Sequence, residues 1–312
     1  MDAHKTLQQA IVYFSDPARC FEYAKHLRWP DGKVCCPRCE SYEHSFLSTR
    51  KIWFCKGCKK QFSLKVGTIF EDSPITLDKW LCALWMLTNC KNGVSSYEIH
   101  RSIGVTQKSA WFMLHRLRML MHEDDASPLR GEIEMDETFV GGKAKNMHKA
   151  KRAKALKADG TFKGKTIVVG MLERKGRVKA EVVEARTREV LHELANTSIA
   201  PGSTVITDEH HPYRGISFTH EVINHAEAYV RGNVHTNGIE SFWSMLKRAL
   251  GGTYISVEPF HLFRYIDEQA FRFNNRSDLD DLGRFELAAR NAAGKRLTYA
   301  ALTSGAGSAT SL

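Results

Sequence analysis

Four of the eight cysteines fall as two CxxC pairs, Cys36-Pro-Arg-Cys39 and Cys55-Lys-Gly-Cys58, fifteen residues apart. No other feature constrains the fold as tightly. Each CxxC turn presents two thiolates to one ion, and two such turns complete the closed tetrahedron of a structural zinc site. The intervening Ile52-Trp53-Phe54 reads as a strand. Residues 31–70 are therefore expected to form a zinc ribbon that draws most of its stability from the metal. A redox or iron site is the lesser alternative, and a catalytic zinc is excluded because four cysteines leave no open position. Cys35 abuts the first knuckle as a bystander. No export signal is evident, so the cysteines read as reduced thiols rather than a disulfide framework.

Upstream, residues 1–30 read as a helical segment. Asp16 and Pro17 supply a cap and first turn, and Cys20, Phe21, Ala24 and Leu27 form an apolar stripe in which Cys20 is a small buried hydrophobe. Downstream, residues 73–125 take helical periodicity. Leu77, Trp80, Leu81, Leu84 and Leu87 define one helix, Ser95-Ser-Tyr-Glu98 opens a second with a capping box, and Thr106 caps a third. Ser102-Ile-Gly-Val105 between the last two is the short turn of a helix-turn-helix unit. On that reading Gln107, Lys108, Ser109, Phe112, His115, Arg116 and Arg118 lie on the outer face and contact DNA. A plain three-helix bundle is the alternative. The formal charge of +10 favours a polyanionic partner. No apolar run approaches the roughly 18 residues of a membrane span, and a cytoplasmic, nucleoid-associated protein is expected.

The segment from Arg130 to Lys143, RGEIEMDETFVGGK, reads as a strand. Alternation places Ile133, Met135, Glu137 and Phe139 on one side and Glu132, Glu134, Asp136 and Thr138 on the other. Gly141-Gly142 then turns the chain. Residues 143–165 carry nine Lys or Arg against one acid and serve either as a solvated tether or as a phosphate clamp. Two strands follow at 166–172 and 177–183, then a helix at 187–195 and a strand at Thr204 to Asp208. That order is expected of a mixed sheet with helices on its faces, which sets Asp208 beside Asp136. In the following VHTNGIESFWSMLKRAL, from Val234 to Leu250, Ile239, Phe242, Trp243, Leu246 and Leu250 recur at helical spacing and face the sheet. Asn237, Glu240, Ser244 and Lys247 share another side. A further helix from Pro259 to about 275 is rich in rings, most of them core, and the tail from about 304 is expected to be disordered.

Asp136, Asp208 and Glu240 are the kind of carboxylate set, drawn from two strands and a helix, that holds a pair of magnesium ions for in-line displacement at phosphorus. Lys247 would then position a phosphate as a point charge.

The chain resembles the insertion-sequence DDE transposases of the ISXO-two-like group. The resemblance is carried by Arg28-Trp-Pro-Asp-Gly32 with the CxxC pairs, Asp136-Glu-Thr-Phe-Val-Gly-Gly-Lys143, Thr207-Asp-Glu-His210, His235-Thr-Asn-Gly-Ile-Glu-Ser-Phe-Trp-Ser-Met-Leu-Lys247 and Phe271-Arg-Phe-Asn-Asn-Arg276. It implies a zinc ribbon and helix-turn-helix ahead of a ribonuclease-H-like α/β domain over residues 130–280, with 281–312 as a C-terminal extension. It also implies two-metal cleavage and strand transfer of element ends by Asp136, Asp208 and Glu240 with magnesium, or manganese in its place. Asn237 is the competing third ligand. The implied partners are terminal-repeat DNA, target DNA and further copies of the chain. A DNA-binding regulator derived from a transposase is the alternative. The sequence departs from the group at Ile255, where a histidine is expected, and His210, His211, His225 and His235 read as structural or DNA-contacting groups.

Overall fold

A computed structural model describes residues 5–123, 126–141, 165–208, 211–223 and 236–304. The expected basic loop, apart from Lys165, lies outside the described residues, as do His210, His225, His235 and the tail beyond 304. The chain divides into two compact units, one of Met1–His122 with Asn275–Leu312 and the other of Glu123–Asn274.

In the first unit, α1 (Leu7–Phe14) precedes α2 (Pro17–Arg28), whose cap forms as the sequence suggests. Asp16 accepts the Ala18 N–H at 2.8 Å, and Pro17 stands at the first helical position. A three-stranded antiparallel ribbon follows, ordered β1 (His44–Leu47), β2 (Ile52–Cys55), β3 (Gln61–Phe62). Trp29, Val34, Trp53, Phe62 and Leu64 form its small core together with Cys36 and Cys55. The helices α3 (Leu77–Asn89), α4 (Ser96–Ile103) and α5 (Gln107–Arg118) come next. Ser95 and Glu98 close the capping box in both directions, and Thr106 accepts the Ser109 N–H. Gly104 ends α4 at φ +65°, a conformation in which a Cβ would crowd the following carbonyl.

The C-terminal segment belongs to this same unit. Phe285 on α9 (Asp281–Arg290, named after the second unit's three helices) packs against Phe14, Tyr23 and Trp85. Ala292 accepts the Ile69 N–H at 2.9 Å. The short α10 (Tyr299–Thr303) lies beyond, where Tyr299 meets the Phe112 ring and the Lys108 ammonium.

The second unit is a five-stranded mixed sheet in the order β6 (Val178–Val183), β5 (Thr166–Glu173), β4 (Glu132–Val140), β7 (Thr204–Asp208), β8 (Thr219–Ile223). β4, β5 and β6 pair antiparallel, whereas β4–β7 and β7–β8 are parallel. Alternation sorts the side chains as the sequence predicts. Ile133, Met135, Val169, Met171 and Val205 pack with Leu191, Leu194 and Ala195 of α6 (Arg188–Ser198). On the opposite face, Val168 and Leu172 pack with Ile239, Phe242, Trp243 and Leu246 of α7 (Asn237–Arg248), and with Leu262, Ile266 and Phe273 of α8 (Leu262–Asn274). A π-helical turn, Ala249–Tyr254, continues α7 and ends at Ile255, which stands exposed at φ +61°.

Most rings of α8 are buried, as expected, but so are its charges. Glu268 is fully buried between Arg272 and the Tyr254 hydroxyl, and Arg272 also donates to Gln269 at 2.9 Å. Unpaired buried charge is costly, so this helix is held by its polar network as well as by its apolar stripe.

Candidate functional site

The four ribbon cysteines converge. Their Sγ atoms all lie within 4.8 Å of one another, with Cys36–Cys58 at 3.7 Å and Cys39–Cys55 at 3.5 Å. Zinc–sulfur bonds of about 2.3 Å give tetrahedral edges of roughly 3.8 Å, so the cage has the size zinc requires. The Cys58 backbone N–H, helped by the Cys39 thiol, outweighs burial and lowers the Cys55 thiol to about 6. Thiolate is the ligating form. The bystander Cys35 stands outside the group, and Cys20 is buried with its thiol pushed up to about 12 by desolvation, then by Asp78 and Cys82. Among the described residues the four cysteines are the one group of three or more potential ligands drawn this close.

The helix-turn-helix candidates divide. Lys108 is exposed, and Gln107 and Ser109 are half-buried, with Gln107 Nε2 donating to Ser96 at 2.9 Å. The expected outer-face positions His115, Arg116 and Arg118 are instead buried. Arg116 donates to the Glu71 carbonyl and lies over Trp80 and Phe112, while His115 meets the Trp111 ring edge-on. The C-terminal half of α5, Met113–Arg118, is buried, whereas Gln107–Ser109, Trp111 and Phe112 keep some exposure. Its helical periodicity, read alone, describes one buried stripe and does not reveal that further segments cover the rest.

On the sheet, β4 and β7 run parallel with Glu134 opposite Ile206. Two residues beyond that pair stand Asp136, midway along β4, and Asp208, the last residue of β7. Asp208 alternates with Thr207 and Val205, and Val205 faces α6. Both aspartates therefore leave the sheet on the α7 side. Burial pushes the Asp136 carboxyl up to about 6, and the charges of Glu137 and Asp208 push the same way against hydrogen bonds from the Glu137 backbone and Trp243. A buried carboxylate raised in this way beside a second one is relieved by a cation as well as by a proton.

The polar contacts around Asp136 extend to its β4 neighbours Glu134 and Glu137. The Trp243 indole Nε1 donates to Asp136 Oδ2 at 2.9 Å. Glu134, buried, accepts the Ile239 backbone N–H at 2.9 Å and pairs with Arg174 Nε at 3.2 Å. Glu137, on the other face, accepts from the Tyr213 hydroxyl at 2.5 Å and pairs with Arg186 at 3.2 Å. Burial, followed by the Glu137 charge, raises the Tyr213 phenol well above its usual range. Glu134 is thereby committed to docking the start of α7.

On α7, Glu240 is exposed and accepts from the Thr236 hydroxyl at 3.2 Å. It precedes Trp243 by three positions, so it shares that strip of the helix. Asn237 opens α7, and Ser244 and Lys247 are exposed along it. The three acids do not close into a group as tight as the cysteines.

The chain sets a ribbon with a four-cysteine cage ahead of an α/β unit with aspartates on adjacent parallel strands, and transposases are what it resembles among known proteins. Residues 128–274 match the ISXO2-like transposase domain and residues 15–61 the transposase zinc-ribbon domain. The chain is also similar to an uncharacterised protein in transposable element ISH50 of Halobacterium salinarum, 29% identical over 260 residues, covering 77% of this chain and 85% of that relative. One chain thus carries both a transposase zinc-ribbon match and an ISXO2-like transposase-domain match.

Proposed function

We propose that this transposase is a DDE enzyme that nicks the ends of its element and joins the freed 3′ ends to target DNA. The observation that carries the reading is that Asp136, midway along β4, and Asp208, at the end of the adjacent parallel β7, each stand two residues past the Glu134–Ile206 pair, on the face covered by the Glu240 helix. The strand order β6-β5-β4-β7-β8, antiparallel through β6, β5 and β4 and parallel thereafter, supports a ribonuclease-H-like architecture. The donor set is all oxygen, which suits magnesium or manganese rather than zinc. Asp136 and Asp208 would hold the ions with Glu240 as third ligand, preferred to Asn237 because a carboxylate binds a hard cation better than an amide. When bound there, the ions would supply an activated attacking oxygen and a stabilised leaving oxygen.

The chain's own residues then have distinct tasks. Lys247, seven residues beyond Glu240, holds a phosphate of the DNA end as a point charge. Gln107, Lys108 and Ser109 in the first turn of α5 contact DNA through a helix-turn-helix formed by α4 and α5, and the zinc ribbon and net positive charge favour the same partner. The enzyme would work as a homo-oligomer that pairs two element ends.

The test uses purified full-length protein, magnesium, and DNA carrying the inverted repeats that flank the reading frame. Nicking and joining are expected, with both lost in Asp136→Ala and in Asp208→Ala while gel-shift binding persists. Activity that survives either change overturns the reading. Binding without metal-dependent cleavage would assign the chain instead to a regulator derived from a transposase.

A further inference from the structure

Asp136 is held by a side chain whose seat is built into the sheet. Across the β4–β5 ladder the partner of Asp136 is Gly170. A Cβ at Gly170 would stand 2.6 Å from Cζ2 and 2.7 Å from Cη2 of Trp243, and 2.8 Å from Cδ1 of Ile239. No real contact is that close, so the indole occupies space that exists only because residue 170 has no side chain. From this slot Trp243, 3% exposed, extends its N–H to Asp136 Oδ2 at 2.9 Å. The indole is enclosed by Val168, Leu172, Ile239 and Phe242 in the core beneath α7.

We propose that Trp243 is a positioning residue for cation binding: seated in the Gly170 slot, it fixes Oδ2 and with it the orientation in which the Asp136 carboxylate meets the metal. The proposal rests on the DDE reading above. An indole N–H suits the task because it is a donor with no acceptor lone pair. It cannot compete with Asp136 as a ligand, it carries no charge to repel a cation, and it does not titrate in the working range. An arginine or lysine there would add a repelling charge, and an asparagine or serine would offer a rival oxygen. Packing on both sides of the ring removes the rotational freedom that a surface donor would retain. Outer partners of this kind typically govern metal affinity or activity by about 10–100-fold. Because the donor sits on the helix that carries Glu240, the same contact ties the third candidate ligand's element to the strand of the first.

The test is manganese binding followed by the spin-resonance signal of free Mn2+, with Asp136→Ala defining the site-specific fraction, alongside magnesium titration of nicking on terminal-repeat DNA. Trp243→Phe keeps a ring over Gly170 and removes the N–H. We expect site-specific Mn2+ affinity to fall about tenfold or more, the magnesium half-saturation for nicking to rise in parallel, and DNA binding and melting temperature to stay near wild type. Replacing the indole with its sulfur isostere benzothienylalanine retains the full shape without the donor and decides the matter if the phenylalanine variant folds poorly. Gly170→Ala, which expels the indole, is expected to weaken Mn2+ binding likewise. Wild-type metal affinity in the benzothienylalanine protein overturns the proposal and leaves the DDE reading standing. A wild-type protein that neither binds Mn2+ through Asp136 nor nicks overturns both.

Discussion

The carboxylate of Glu134 accepts the backbone N–H of Ile239 at 2.9 Å, joining the central strand to the first turn of α7 across 105 residues of sequence. The first N–H groups of a helix lack internal partners, and a buried anion there also meets the positive end of the helix dipole. Gly238 permits the approach, since a Cβ at that position would lie 2.8 Å from Glu134 Oε2.

Glu134→Ala should therefore destabilise the protein strongly. It leaves the Ile239 N–H and the Arg174 guanidinium without their buried anion, a loss of about 3–5 kcal/mol. Glu134→Gln keeps an acceptor and should cost less. Denaturant unfolding measures both, and equal stabilities would remove the helix-docking role.

Asp136→Asn should abolish cleavage and, in magnesium-free buffer near pH 7, raise the melting temperature. The folded-state carboxyl titrates at about 6, above its ordinary 3.8. Its contribution is accordingly complete below the ordinary value and lost as pH rises through 6, at a cost of about 1–3 kcal/mol at neutrality. Asparagine cannot ionise, so its stability profile should be flatter between pH 4 and 6 by calorimetry.

Acid should weaken the second unit through His220. Its ring bonds Thr207 Oγ1 at 2.9 Å, and desolvation followed by the His192 charge lowers its pKa from 6.5. A depressed histidine takes up its proton more readily unfolded, so stability is full above about 6.5 and declines as pH falls below it. His220→Gln should lessen that acid sensitivity in melting curves recorded from pH 7 to 5.

Zinc removal should unfold the ribbon. Trp53 and Trp29 pack edge-on at 5.4 Å in the core that also contains Cys36 and Cys55. A chelator, or Cys55→Ser, should expose these rings and red-shift tryptophan emission, with recovery on adding zinc. Unchanged emission in metal-free protein would show that the ribbon stands on its apolar contacts.

Charge changes on α5 should separate by position. Lys108→Ala should weaken DNA binding and reduce the slope of log K against log salt by about 1. Arg116→Ala should instead cost about 1–3 kcal/mol of stability, because it deprives the Glu71 carbonyl of its buried donor. A salt slope altered by Arg116→Ala alone would reverse this assignment.

The amino-acid sequence by itself determined what neighbours along the chain decide. The CxxC spacing specified a four-thiolate cage, Ser95 with Glu98 and Asp16 with Pro17 specified helix starts, and alternation on β4 separated Asp136 from Met135 and Glu137. These features depend on periods of two to four residues, which any window of the chain exposes. Tertiary structure alone decided the remainder. Periodicity left Arg116 and His115 on an open face, but other segments of their unit bury them. Glu134 and Asp136 are equivalent on one strand until Ile239 claims one and Trp243 the other. Nothing near Gly170 in the chain signals that it must lack a side chain; that requirement arises from an indole 73 residues away, because close packing sets conditions between surfaces rather than between sequence neighbours.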